Sequence, residues 1–135
     1  MKTVSVWQPW ASSFFDYGKP VENRKWYCSH RGPLLIHAAL KQDEETMRAF
    51  LEINPTMKRL SEFPRGVILG RVDMIDCVPI DRIGKYFTEE QDTQWAFGPY
   101  CWVFKNATKF SQPIRYRGQQ GLFDVSDYLI INRAT

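Results

Sequence analysis

The chain predicts a small α+β barrel, and three observations carry that expectation. Short apolar or alternating runs recur between turn residues. Two or three segments with helical spacing interrupt them. A glycine, Gly70, falls inside the clearest strand, where a small barrel needs a sharp bend. The 135 residues suit one domain, 1–135, large enough to hold a continuous core without disulfides.

Thr3–Trp7 reads as the first strand. Pro9 then stands where a helix can begin without losing a hydrogen bond, and Gly18 where one can end. Ala11, Phe14 and Phe15 supply that helix with a buried face. Residues 21–26 continue as a polar strand, and Gly32-Pro33 marks a turn. Leu34–Ala38 is a continuous apolar run, as a buried strand requires. Asp43, Glu44 and Glu45 favour the positive end of a second helix. Met47, Phe50 and Leu51 give it an apolar stripe, and Pro55 helps to end it.

Gly66–Cys77 is the strongest strand. Ile68, Gly70, Val72 and Met74 are expected on one face, with Arg71 and Asp73 on the other. Ile80–Tyr86 reads as a short helical or irregular segment. Residues 88–98 read as a polar loop in which Trp95 and Phe97 are embedded. Tyr100–Phe104 is a buried strand, Pro113–Arg117 and Leu122–Val125 are shorter ones, and Tyr128–Ile131 is expected to close the sheet.

Charge is nearly balanced, 18 basic against 15 acidic residues for a net +3, so nucleic-acid binding is permitted and not required. The distribution is more telling. Lys19, Arg24, Lys25 and Arg31 cluster against Glu22 alone. Lys105, Lys109, Arg115 and Arg117 form a second cluster with no acid among them. If the two meet, they make an anion-attracting surface along which a nucleic-acid backbone can run. Aromatics make up 15% of the chain, enough to place some rings in a site.

The three cysteines lack CxxC pairing, which argues for a reducing, cytoplasmic setting. Cys28, His30 and His37 show no paired metal-ligand spacing, so no metal or cofactor is expected. The N-terminal run is too short and polar for a signal peptide. No stretch approaches the roughly 20 apolar residues that span a bilayer. No GxSxG, Walker or Rossmann pattern appears, which removes those enzyme classes.

The chemistry concentrates in Gly18-Lys19-Pro20-Val21-Glu22-Asn23-Arg24-Lys25-Trp26. The proline disfavours helix at Lys19. In a strand, Glu22, Arg24 and Trp26 then share one face while Val21, Asn23 and Lys25 take the other. That face offers a carboxylate, a guanidinium and a ring, with Lys19 at its entrance. Such a set can hydrogen-bond a planar polar ring, stack on it and hold a phosphate. A flanking Arg24 favours loss of the Lys19 proton and Glu22 opposes it. Trp10 reads as core, Trp7 and Trp26 as possible stacking surfaces, and His37 as a buried histidine or a ligand contact.

Val6-Trp7-Gln8-Pro9-Trp10-Ala11, then Gly18-Lys19-x-x-Glu22-x-Arg24-x-Trp26, then Arg31-Gly32-Pro33-Leu34-Leu35-Ile36-His37-Ala38 resemble the ASCH (activating signal cointegrator homology) domain. Gly66–Asp73 and Gly118–Phe123 are similar to its later blocks. The resemblance implies a PUA-like barrel with two to three flanking helices, and a cleft walled by the GxKxxExR segment. It implies RNA, DNA or a modified nucleoside as partner. Carried over residue by residue, the cleft residues are Lys19, Glu22 and Arg24. Trp7, Gln8, Trp26, His37, Arg117 and the loop from Gly118 to Gly121 are secondary contacts.

A binding module is the favoured reading. The alternative is a hydrolase using Lys19 and Glu22, either a ribonuclease or an amidohydrolase of the N4-acetylcytidine type. Such small ASCH amidohydrolases carry Thr where Glu22 falls and a further Glu in a later loop, where this chain has Glu89, Glu90 and Asp92. A third reading is a protein-interaction domain with an exposed apolar patch.

Overall fold

The computed structural model describes residues 1–53, 55–56 and 62–131; residues 132–135 of the expected domain lie outside that range. Six strands form one mixed sheet: β1 (Lys2–Gln8), β2 (Val21–Arg24), β3 (Gly32–Gln42), β4 (Val67–Pro79), β5 (Tyr100–Arg115) and β6 (Leu122–Asp124). Their spatial order is β2-β5-β4-β3-β1-β6. The β1–β3 pair is parallel and the other neighbours are antiparallel. The helices are α1 (Trp10–Asp16), α2 (Glu44–Ile53), α3 (Glu90–Thr93) and α4 (Asp127–Ile130), with a 3₁₀ segment over Ile80–Lys85. The expected α+β class and PUA-like, barrel-like arrangement are observed, although the backbone ladder does not close on itself.

A side chain bridges what the ladder leaves open. Arg24 lies on β2, at one end of the sheet, yet its Nη2 donates to the Ser5 carbonyl of β1 at 2.9 Å. Three strands separate β2 from β1 in the hydrogen-bonded order. Contact between them therefore requires the sheet to curl.

Bulges supply that bend. On β4, Ile36 pairs with Gly70 but His37 pairs with Ile68, so Leu69 is an inserted residue. Strict alternation places Ile68 with Val72 and Met74. Instead Leu69 joins them in the main core, and Ile68 packs with Leu35, Phe110 and Ile114 beneath the opposite face. Gly70 lies at this point because β5 crosses it closely. An added Cβ would lie 2.3 Å from the Thr108 carbonyl oxygen and 2.9 Å from Lys109 Cα.

The apolar run of β3 is buried on both faces. Leu34, Ile36 and Ala38 face Val4, Val6 and Trp102, while Leu35 faces the second cluster. Such two-sided burial explains why its sequence does not alternate. A third cluster of Val21, Phe50, Val78, Trp95 and Val103 joins α2 to the sheet.

Local capping explains two departures from expectation. Tyr128–Ile131 does not close the sheet: Ser126 caps a turn of helix by accepting from Tyr128 N–H. Gln8, expected at the site, lines neither the cleft around Lys19 nor the cavity around Arg117. Its side chain is fully buried, Oε1 accepts from Ser12 N–H at 2.9 Å, and Nε2 donates to Ser12 Oγ and the Pro64 carbonyl. Pro9 offers no side-chain cap to α1, so Gln8 satisfies an N–H left free in its first turn.

Gly70→Ala is expected to destabilise the fold by about 2–3 kcal/mol, since rigid backbone blocks the new methyl. Gly84→Ala, which meets open space, is the control. Urea unfolding of the pair tests the packing at the bulge.

Candidate nucleic-acid interface

Gly18, at φ 69°, turns the chain out of α1 and into β2. Lys19 N–H donates to the Ser13 carbonyl, and Phe104 N–H to the Pro20 carbonyl, which fixes the entry to the strand. Lys19, Glu22 and Arg24 then converge. Lys19 Nζ lies 3.2 Å from Glu22 Oε1, and Arg24 Nε lies 3.1 Å from Glu22 Oε2. The Lys19 and Glu22 side chains retain only 3% and 9% of their exposure, so this pair is the floor of a cavity, not a surface ion pair.

Aromatic rings surround the floor. Lys19 Nζ stands 4.9 Å from the Trp10 ring centre and 4.7 Å from that of Phe14. Trp10 meets Phe50 edge-on at 5.4 Å, and Phe50 lies 5.2 Å from Trp95. The Trp10 ring is therefore not core alone: it is half-buried and forms one wall of the cleft. Trp7, Trp26 and Phe97 make the rim, with exposures of 42%, 49% and 71%. The space enclosed is about 1080 Å³ and is also bordered by Asp43, Thr46 and Gln94.

Two wall segments come from parts of the chain that the motif does not touch. α2 brings Phe50, Ala49 and Thr46. Asp43 is engaged in starting that helix, accepting from both Thr46 N–H and Thr46 Oγ–H. The 94–97 segment brings Gln94, Trp95 and Phe97, and Asn23 ties it to β2. Asn23 Nδ2 donates to the Trp95 carbonyl, and its Oδ1 accepts from Phe97 and Gly98 N–H at 2.8 and 2.9 Å. Asn23 thus positions the rim. The clue in the sequence was a Trp and a Phe embedded in a polar loop.

Burial pushes the Lys19 pKa down, against the attraction of Glu22; Arg24 adds only a smaller push in the same direction. Desolvation, more than the neighbouring cation, is the cause. Arg24 Cζ also lies 5.9 Å from the Trp26 ring centre and 5.6 Å from that of Trp102, so both rings contact the cation.

His37 is buried and faces away from the Lys19 floor. Its Nε2 lies 2.7 Å from the Tyr116 carbonyl, which can only accept, so Nε2 carries the hydrogen. Nδ1 then accepts from the Ser5 hydroxyl at 2.9 Å. Burial lowers the His37 pKa, with the Tyr116 bond opposing it. Gly118 packs directly on this pair: a Cβ there would approach His37 Cε1 to 2.8 Å and Ser5 Oγ to 3.0 Å. His37 and Gly118 therefore anchor the loop that carries Arg117.

The two basic runs meet only in part. Arg24 and Trp26 border a second cavity with Arg115, Arg117 and Gly118. Lys109 instead pairs with Asp16 at 2.9 Å. Glu89, Glu90 and Asp92 do not line the cleft. Among the described residues, no helix is long and apolar enough to cross a membrane.

A curled mixed sheet, two principal helices and a cleft floored by a GxKxxExR segment define a PUA-like module. The ASCH domain model matches residues 4–114, and the chain belongs to the ASCH domain family. It is 33% identical over 111 residues to activating signal cointegrator 1 of Homo sapiens, and 33% over 105 residues to that of Mus musculus. Those matches cover 76% and 70% of this chain but only 18% of each relative. The crystal structure of ASCH from Zymomonas mobilis is similar in fold, with a TM-score of 0.56 at 14% identity, covering 96% of this chain and 90% of that one.

Glu22→Gln is expected to cost about 3–5 kcal/mol, because it strands a buried ammonium. Lys19→Met leaves Glu22 paired with Arg24 and costs less. Urea unfolding measures both; equal, small losses would mean that Lys19 is uncharged when folded.

His37 gives a pH test. Its folded pKa is lowered, so its contribution is complete above the ordinary value of about 6.5. The contribution is lost as pH falls below that value, where the unfolded chain takes up a proton that the folded chain resists. Thermal unfolding at pH 7.5 and pH 5 should show a smaller acid loss in His37→Gln than in the parent.

Proposed function

We propose that this chain is a nucleic-acid or modified-nucleoside binding module, related to RNA, that takes one base into the aromatic cleft. The observation that supports this reading best is the Glu22 carboxylate, held between Lys19 and Arg24 on a buried floor beneath Trp10, Phe50 and Trp95. Each carboxylate oxygen has capacity beyond its one cation, so Glu22 can accept from an exocyclic amine such as that of cytosine. A guanidinium carries five donors, and the two N–H groups of Arg24 already engaged leave others for a ring oxygen or phosphate. Trp26, Trp7 and Phe97 offer stacking faces at the rim. An acceptor beside a donor suits the amino and carbonyl edge of a base better than a purely anionic group.

A second reading, hydrolysis of a modified base, draws on one observation: a lysine with a lowered pKa in a cleft is a candidate base or nucleophile. Against it, Glu22 replaces the hydroxyl of the family's amidohydrolases, and the 88–98 segment contributes no carboxylate to the cleft. Chromatography after incubation with N4-acetylcytidine should show no cytidine. Product that disappears in Lys19→Met would establish the enzyme instead.

Binding is tested by titrating short ribo-oligonucleotides with tryptophan fluorescence. Phe97→Ala should leave the melting temperature near the parent value because its ring is 71% exposed, and Trp26→Ala, at 49% exposure and in contact with Arg24, should lower it only slightly. Each should weaken binding by about 1–3 kcal/mol, the usual contribution of one stacked base. Unchanged affinity in both variants would remove the base from this cleft.

A further inference from the structure

Beyond its rim the cleft continues into a second cavity of about 1380 Å³. Ser5, Trp7, Arg24, Trp26 and Gln120 border both, so the two spaces share one wall. The far side of the second is different in chemistry. Lys41, Arg115 and Arg117 line it, with the main chain around Gly118 and Gly121, and no Asp or Glu among the described residues borders it.

Seven of the described lysines and arginines are neutralised by a carboxylate, Lys19 and Arg24 by Glu22 among them. Lys2 pairs with Asp124, Lys109 with Asp16, Arg71 with Asp73, and Arg31 and Lys85 with Asp76. Among the described residues, Lys41, Arg115 and Arg117 form no ion pair. Lys41 Nζ instead stands 4.7 Å above the Trp7 ring, on the shared wall. Arg115 and Arg117 are exposed, and the loop beyond them is held by the Tyr116–His37–Ser5 hydrogen bonds. A groove that gathers three unneutralised cations with no bordering acid suits a polyanion, and it adjoins the aromatic-walled cleft.

We infer that the ligand is a single-stranded nucleic acid of at least two nucleotides. One base occupies the cleft, and the adjoining sugar-phosphate follows the second cavity past Arg24 towards Arg115, Arg117 and Lys41. This rests on the base-binding reading above and extends it, because a free base or nucleoside leaves the second cavity without a partner. The strand is single because the Lys19–Glu22 floor is buried. A base in a duplex keeps its hydrogen-bonding edge inside the helix and reaches such a floor only by leaving its stack.

The test is an equilibrium titration of cytidine, the dinucleotide CpC, an RNA octamer, the DNA octamer of the same sequence and the corresponding RNA duplex, each at several salt concentrations. The parent protein should bind CpC more tightly than cytidine, and the single strands more tightly than the duplex. Arg115→Gln/Arg117→Gln should leave cytidine binding unchanged and weaken octamer binding about tenfold. Its plot of log K against log salt should be shallower by about 1.4, since each of the two lost phosphate contacts changes the slope by roughly 0.7 for single strands. Phe97 borders only the first cavity, so Phe97→Ala should weaken cytidine and octamer alike.

An arginine double variant with parental slope and affinity, alongside an impaired Phe97→Ala, overturns the backbone track and leaves the base site standing. Loss in the arginine variant with Phe97→Ala unaffected overturns the base site. Duplex binding as tight as single-strand binding, or equal competition by polyglutamate, rejects the single-strand assignment. The paired octamers report whether the 2′-hydroxyl is read.

Discussion

One carboxylate between two cations, under a roof of rings, is the constraint around which the rest of this molecule is arranged. Lys19 and Glu22 are almost wholly removed from water, a costly placement for either alone. Each makes the other tolerable, and Arg24 shares the same carboxylate. The surrounding architecture serves that arrangement. Gly18 aims the chain at the floor, β2 spaces Glu22 and Arg24 on one face, and α1 places Trp10 and Phe14 against the lysine. A surface pair would contribute little and demand nothing of its neighbours. A buried one dictates where the helices and rings must stand.

The walls follow from longer-range contacts. α2 is attached through Phe50 and its packing on Trp10 and Trp95, and the 94–97 segment is attached through the side chain of Asn23. The cleft is therefore assembled from five separated stretches of sequence, the fifth contributing Gln120. The second cavity is assembled likewise, with β1, β3 and the end of β5 held in register by His37 and the small Gly118.

Local rules made much of this legible beforehand. The apolar run at Leu34–Ala38, the strand from Gly66, the helix between Pro9 and Gly18 and the chemistry of Lys19, Glu22 and Arg24 follow from periodicity and charge. What was missed depended on partners distant in sequence. Nothing near Leu69 signals that it is an inserted residue, since the bulge exists only relative to β3. Gln8 looked like a site residue because it lies between two tryptophans, whereas an unmet N–H on α1 claims it. Trp10 looked like core because its cleft-facing edge is defined by Phe50 and Trp95. The 88–98 segment looked like a loop, and its role as a wall appears only once Asn23 reaches it.

Arg24 does two jobs with one planar group, reaching across the open side of the sheet to Ser5 while facing the space a ligand would fill. Retuning recognition through this position would loosen the join between the first and last-paired strands, so mutational change there is penalised twice. Phe97, the most exposed of the three rim rings, carries no such structural duty, whereas Trp26 contacts Arg24 and Trp7 contacts Lys41. On the proposed reading, a change of ligand is structurally cheapest at the lip of the cleft and costliest in its bed, where the Lys19–Glu22–Arg24 pairing also holds the fold.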